Sequence, residues 1–223
     1  MKPLHKLINK ENAAWVLIEK WIKKATNKVD VLARDSNQAE IALYRTQVTT
    51  RSTMGAIIYE TGGLLVDDGW IRILGSGSDF LKRNLPAWNK GKSFEQYGQS
   101  PSFLLVADDA IGGFFALNAG AFGSEDIGKV FYFSPDNLNW ESLGVGYSDF
   151  LYWSFTGNIN QFYAGLRWTG WQEEVRAMGA DRAINFYPFL WTEYDDLEKL
   201  SRKDVSVEEM WSLQMDIRNQ LKN

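Results

Sequence analysis

Leu64-Leu65-Val66-Asp67-Asp68-Gly69-Trp70-Ile71-Arg72-Ile73-Leu74 places two apolar runs on either side of an Asp-Gly pair. Asp-Gly in that position is a strong hairpin signal, because both central residues of the favoured two-residue turn need positive φ, which Gly adopts without cost and Asp tolerates. Two antiparallel strands are therefore expected here, with Trp70 to Leu74 as the return strand. Working upstream, the hydrophobic period changes at Gly55, and Ala56-Ile57-Ile58-Tyr59 is expected to open the strand region before Gly62-Gly63. Downstream, Phe103 to Ala107 and Gly113 to Leu117 read as a second pair around Asp108-Asp109. Lys129 to Phe133 adds a strand that Ser134-Pro135-Asp136-Asn137 ends. Successive short strands joined by local turns predict an antiparallel meander.

Helical patterns flank that meander. Trp15, Ile18, Trp21, Ile22 and Ala25 recur at helical spacing with Glu19, Lys20, Lys23 and Lys24 opposite, and a second helix is expected from Ser36 to Gln47. The lysine face is expected to meet water rather than a membrane surface. After Trp140 the pattern turns helical again, with Ser148 as a cap, a stop at Gly157, and amides three residues after Asn158 and Thr169. Asn185 to Trp191 is extended in character, but Pro188 cannot donate to a ladder, so an edge strand or irregular segment is expected. Glu193 to Asp204 reads as a polar surface connection. A last helix starts at Ser206, where Glu209 completes a capping box, Val205 and Met210 occupy staple positions, and Met210, Leu213, Ile217 and Leu221 form a stripe. The predicted fold class is α+β: an antiparallel meander sheet flanked by N-terminal and C-terminal helices. One domain is expected over 1–223, helical over 1–50, mainly β over 55–141 and mainly helical over 147–223.

Composition narrows the partners. A formal charge of −4 argues against the basic surface that phosphate neutralisation needs, so nucleic acid is not expected and a basic protein suits the chain better. The absence of cysteine removes disulfides and thiolate chemistry. No apolar run approaches a membrane span and the first residues carry no export-signal pattern, so no membrane partner and a cytoplasmic location are expected.

Most catalytic templates fail on inspection. Gly91-Lys92-Ser93 resembles the end of a phosphate-binding loop, yet Pro86 stands where its first glycine belongs. Gly75-Ser76-Gly77 lacks the third glycine of a dinucleotide fingerprint. The lone histidine, His5, cannot build a triad or a multi-histidine zinc site, and Gly146-Tyr147-Ser148-Asp149-Phe150 fails the nucleophile elbow at its last position. No cofactor or metal site is expected. Asp67-Asp68 and Asp108-Asp109 remain as carboxylate pairs, both at expected turns, where Asp commonly bonds nearby backbone. Arg51, Glu60 and Arg72 are charges next to or inside apolar runs, with the solvent face of half-buried strands as the ordinary explanation. Aromatics concentrate between Phe131 and Tyr194, and Trp168 and Trp171 beside helix starts are candidate interface anchors. The candidate binding residues are thus Arg51, Glu60, Asp67, Asp68, Trp70, Arg72, Trp168 and Trp171.

Several motifs carry a family resemblance. Thr49-Thr50-Arg51-Ser52, Tyr59-Glu60-Thr61-Gly62-Gly63, Gly69-Trp70 through Gly77, Gly112-Gly113-Phe114-Phe115-Ala116-Leu117-Asn118, Tyr132-Phe133-Ser134-Pro135-Asp136, Phe162 to Trp168 and Phe186 to Trp191 together resemble the bacterial family catalogued as domain of unknown function 2625. In element order, a meander followed by Trp140, Leu143 and an aromatic helix at Phe150-Leu151 is similar to the SUKH superfamily. Its members include immunity proteins that neutralise nuclease toxins. Because the usual catalytic constellations fail while the aromatics and the acidic balance suit a basic protein partner, the expected role is that of a non-enzymatic, protein-binding module of immunity or regulatory type, with a basic partner such as a toxin. The alternative is a carboxylate-dependent enzyme or small-molecule binder using Glu60, Asp67 or Asp68.

Overall fold

In the computed structural model, which describes residues 1–221, seven strands form one antiparallel sheet in strict sequence order. They are β1 (Val29–Leu32), β2 (Gly63–Val66), β3 (Ile71–Leu74), β4 (Phe103–Asp109), β5 (Phe114–Asn118), β6 (Lys129–Phe133) and β7 (Trp140–Gly146). The expected meander is present, and the 64–74 hairpin pairs Leu64 with Ile73 and Leu65 with Arg72. A separate ribbon joins β8 (Arg182–Tyr187) to β9 (Ser201–Ser206).

Helices cover both faces of the sheet: α1 (Leu4–Leu7), α2 (Trp15–Lys23), α3 (Ser36–Thr46), α4 (Thr53–Glu60), α5 (Leu85–Asn89), α6 (Tyr147–Thr156), α7 (Ile159–Phe162), α8 (Trp171–Met178) and α9 (Val207–Leu221). Neighbouring residues on a strand point to opposite faces. Phe115 meets Phe150 of α6 at 4.9 Å between ring centres, while Phe114 meets Trp211 of α9 at 4.9 Å on the other side. Because both faces are packed, β2 and β3 are buried at every position and show no alternation of apolar and polar residues.

Three expectations need correction. Ala56-Ile57-Ile58-Tyr59 belongs to α4, not to a strand: Ser52 accepts from the Gly55 N–H as N-cap, and Thr53 to Ile58 are all buried. A helix buried all round shows a continuous apolar run, which periodicity cannot separate from a buried strand. Gly55 is required there, since a Cβ would strike the Thr49 carbonyl. The segment after Trp140 begins as β7 rather than a helix, and the cap of α6 is Gly146 rather than Ser148. Finally, the connection from Glu193 to Asp204 contains β9, which pairs with β8 from Tyr187–Ser201 to Arg182–Ser206. The last helix follows directly, with the Ser206 hydroxyl accepting from the Glu209 N–H and Met210 buried.

Candidate functional site

The turn after β2 is built by backbone chemistry. Asp67, Asp68 and Gly69 sit at φ 53°, 59° and 86°, and the Trp70 N–H donates to the Asp67 carbonyl at 3.0 Å. Trp70 then points inward, edge-on to Trp171 at 4.9 Å and Tyr163 at 5.3 Å, with Trp168 at 5.8 Å. The Arg167 guanidinium lies over the rings of Trp171 at 4.1 Å and Trp70 at 4.5 Å and donates to Asp67 at 2.6 Å. Stacking of this kind contributes about 0.5–2 kcal/mol, more where water is excluded.

Five of the eight residues singled out from the sequence therefore meet: Asp67, Asp68, Trp70, Trp168 and Trp171. Their organiser, Arg167, gave no signal beyond its place in the Phe162-to-Trp168 motif. The three tryptophans are buried and do not serve as exposed anchors, because α8 and the loop before it fold over the hairpin. Arg51 is exposed just before α4, and Glu60 pairs with Arg34 at 3.2 Å; neither joins the tryptophan cluster.

Arg72 is 1% exposed and stands opposite Asp108 across the β3–β4 ladder, so it does not lie on a solvent face. Its Nε donates to Asp108 Oδ1 and its Nη2 to the Asp109 carbonyl, both at 2.6 Å. Arg83 binds the other Asp108 oxygen and also Asp181 at 3.0 Å. Burial alone would lower the Arg83 pKa, but Asp108 and then Asp181 raise it overall, so the guanidinium stays charged. The chain Arg72–Asp108–Arg83–Asp181 ties the 78–84 loop and the start of β8 to the sheet.

Asp109 faces the opposite side. Its Oδ1 accepts from the N–H groups of Ile111 and Gly113, and its Oδ2 from the hydroxyls of Tyr132 at 2.7 Å and Tyr163 at 3.0 Å. Burial raises its pKa against these bonds, and burial followed by the Asp109 charge pushes both tyrosines well above their usual range. Gly113 makes this possible, since a Cβ would collide with the carboxylate and the Tyr132 hydroxyl. The Asp109 carboxylate is shut away from solvent with all its donors inside the fold.

The Asp67–Asp68 side opens instead onto a cleft of about 190 Å³. Its rim carries Lys28, Asp30, Asp68 and Arg176, and Leu65 and Val175 form its floor. Asp68 Oδ1 takes both Lys28 Nζ at 3.0 Å and Arg176 Nε at 3.4 Å. The hydrogen bond to Asp68, then that to Asp30, raises the Lys28 pKa. Among the described residues there is no group of three or more His, Cys, Asp or Glu arranged to hold a metal ion, and no helix is long and apolar enough to cross a membrane.

The motifs that meet in these clusters belong to one family: the chain is a member of the group described as "Protein of unknown function DUF2625", which it matches over residues 4–210. It is 44% identical over 218 residues to "Putative uncharacterized protein YbfG" of Escherichia coli (strain K12), covering 98% of each chain. It is also 45% identical over 190 residues to an uncharacterized protein of Haemophilus influenzae (strain ATCC 51907 / DSM 11121 / KW20 / Rd), covering 85% of this chain and 83% of that one.

Proposed function

We propose that this chain is a non-enzymatic protein-binding module, of immunity or regulatory type, that receives a basic protein partner in the cytoplasm. The observation that carries this reading is an aromatic knuckle at the end of β8. Tyr187 is 70% exposed, Pro188 beside it is exposed, and Phe189 and Trp191 stack at 4.3 Å with only 11° between their planes. Glu193, Asp195, Asp196 and Glu198 follow within seven residues. Aromatics at the surface followed in the chain by a run of acidic side chains combine the anchors and the charge complementarity that protein interfaces use. The resemblance in element order to the SUKH superfamily supports the same role.

The test pairs Tyr187→Ala with Glu193→Lys and Asp195→Lys, all at exposed positions. Affinity capture from a bacterial lysate at low and high salt, followed by calorimetry with the purified partner, should yield a basic protein. Its binding should be lost in the triple variant while the melting temperature holds. An acidic partner, or binding indifferent to these substitutions, would refute the proposal. A small-molecule role is the second reading, favoured by the cleft beside Asp68.

A further inference from the structure

We propose that the cleft beside Asp68 binds a small zwitterion of the α-amino-acid class. Its volume of about 190 Å³ is somewhat larger than the ~150 Å³ cavity that admits benzene, which sets the ligand at amino-acid rather than nucleotide size. The floor is apolar: Leu65, Val175 and Ala180 are all nearly fully buried. Phe80, 47% exposed, forms one wall. At Gly69 an added Cβ would meet only Val175, at 3.9 Å, and at Gly179 it would meet nothing within 4 Å, so the backbone lies bare on the cleft.

The charges decide the ligand. The Arg176 side chain is 54% exposed and approaches Asp68 most closely through its Nε, at 3.4 Å, with its two terminal nitrogens farther from that carboxylate. They form a planar fork of the kind that holds a carboxylate through two parallel bonds. Lys28 Nζ at 3.0 Å and Arg176 Nε at 3.4 Å both come closest to Asp68 at its Oδ1, and Asp30 meets Lys28 at 3.2 Å. These two carboxylates can take an ammonium group. A simple anion would meet Asp30 and Asp68, and a simple cation would meet Lys28 and Arg176. A molecule with both charges and an apolar side chain satisfies rim and floor together.

Calorimetry and ligand-observed NMR with L-leucine and L-phenylalanine on the full chain test this, with N-acetyl-leucine and leucinamide as blocked forms and Arg176→Gln as the variant. Saturable binding of a free amino acid with Kd below ~1 mM is expected, weakened about tenfold or more by blocking either end or by R176Q. Arg176 is half-exposed, so the variant should melt with the wild type. The inference is overturned if no standard amino acid binds at ~10 mM, if blocked and free forms bind alike, or if R176Q binds as the wild type does. None of these readouts requires a protein partner, so this result and the protein-binding reading stand or fall separately.

Discussion

Asp67-Asp68 and Asp108-Asp109 are the same dipeptide in the same kind of place, the end of a strand entering a turn, yet one pair is half-open to solvent and the other is sealed. Asp67 and Asp68 stay on the rim because their strand lies near the edge of the sheet, where only β1 lies beyond it. Asp108 and Asp109 end β4, a central strand, and point to opposite faces of a sheet that is covered on both sides. Each sealed carboxylate therefore needs full satisfaction from protein groups, and gets it: two arginines for Asp108, two hydroxyls and two backbone N–H groups for Asp109. Chain position within the sheet, rather than the residue pair, sets what the carboxylates do.

The largest expected effect sharpens this contrast. Asp108→Ala strips the counter-charge from Arg72 and leaves Arg83 with Asp181 alone, and leaving a buried charge unpaired costs about 3–5 kcal/mol. In a chain of this size each kcal/mol moves the midpoint by about 2–4 °C, so thermal unfolding should shift down by on the order of 10 °C. A shift as small as that of a rim carboxylate would break the contrast. A smaller loss, about 1–3 kcal/mol from overpacking, is expected for Gly113→Ala, whose Cβ collides with the Asp109 carboxylate and the Tyr132 hydroxyl. Denaturant midpoints measure it directly.

The sequence made the 64–74 hairpin legible because its determinants are local: positive φ at Asp68 and Gly69 is a property of two adjacent residues. The meander followed from the same turn chemistry. What escaped was set by partners far along the chain. Arg72 reads as a solvent-facing charge until Asp108, 36 residues on, is placed opposite it. Val29–Leu32 is four residues long and lies between lysine-rich and polar segments, so its pairing with β2 left no pattern to read. Ser201–Ser206 is a polar strand of a two-stranded ribbon, with no face buried enough to impose alternation. At the candidate site the sequence supplied Asp67, Asp68, Trp70, Trp168 and Trp171. It was silent on Arg167, Lys28 and Arg176, cations on separate elements that the fold brings to the same turn.

The pH dependence of the sealed pair offers a subtler test. Burial holds the Asp109 pKa above its unfolded value of about 3.8, so its favourable contribution is fully present below that value and is lost as pH rises through the folded pKa. Asp109→Asn cannot ionise and lacks that loss. Wild type minus variant stability should therefore decline as pH rises from about 3.5 upward through the carboxylate range. Urea midpoints at successive pH values read the slope, and a difference that grows with pH would show that the four donors outweigh burial.

The smallest effect belongs to the open pair, and its smallness is the point. In Asp68→Asn the contacts to Lys28 and Arg176 weaken, but both cations are more than half exposed, so solvent and salt already screen the pairs. Exposed pairs contribute about 0–1 kcal/mol, and the melting temperature should barely move. What should move is Lys28. Its pKa is raised first by the hydrogen bond to Asp68, so its stabilising contribution is complete at neutral pH and fades only as pH climbs through that raised value. Removing the Asp68 charge should bring the Lys28 titration down toward the ordinary lysine value, as read by NMR of the side-chain Cε and Nζ. If Asp68→Asn instead destabilised the chain as severely as Asp108→Ala, the rim carboxylate would be part of the sealed framework, and the cleft would lose its standing as a place where a ligand can compete for those charges.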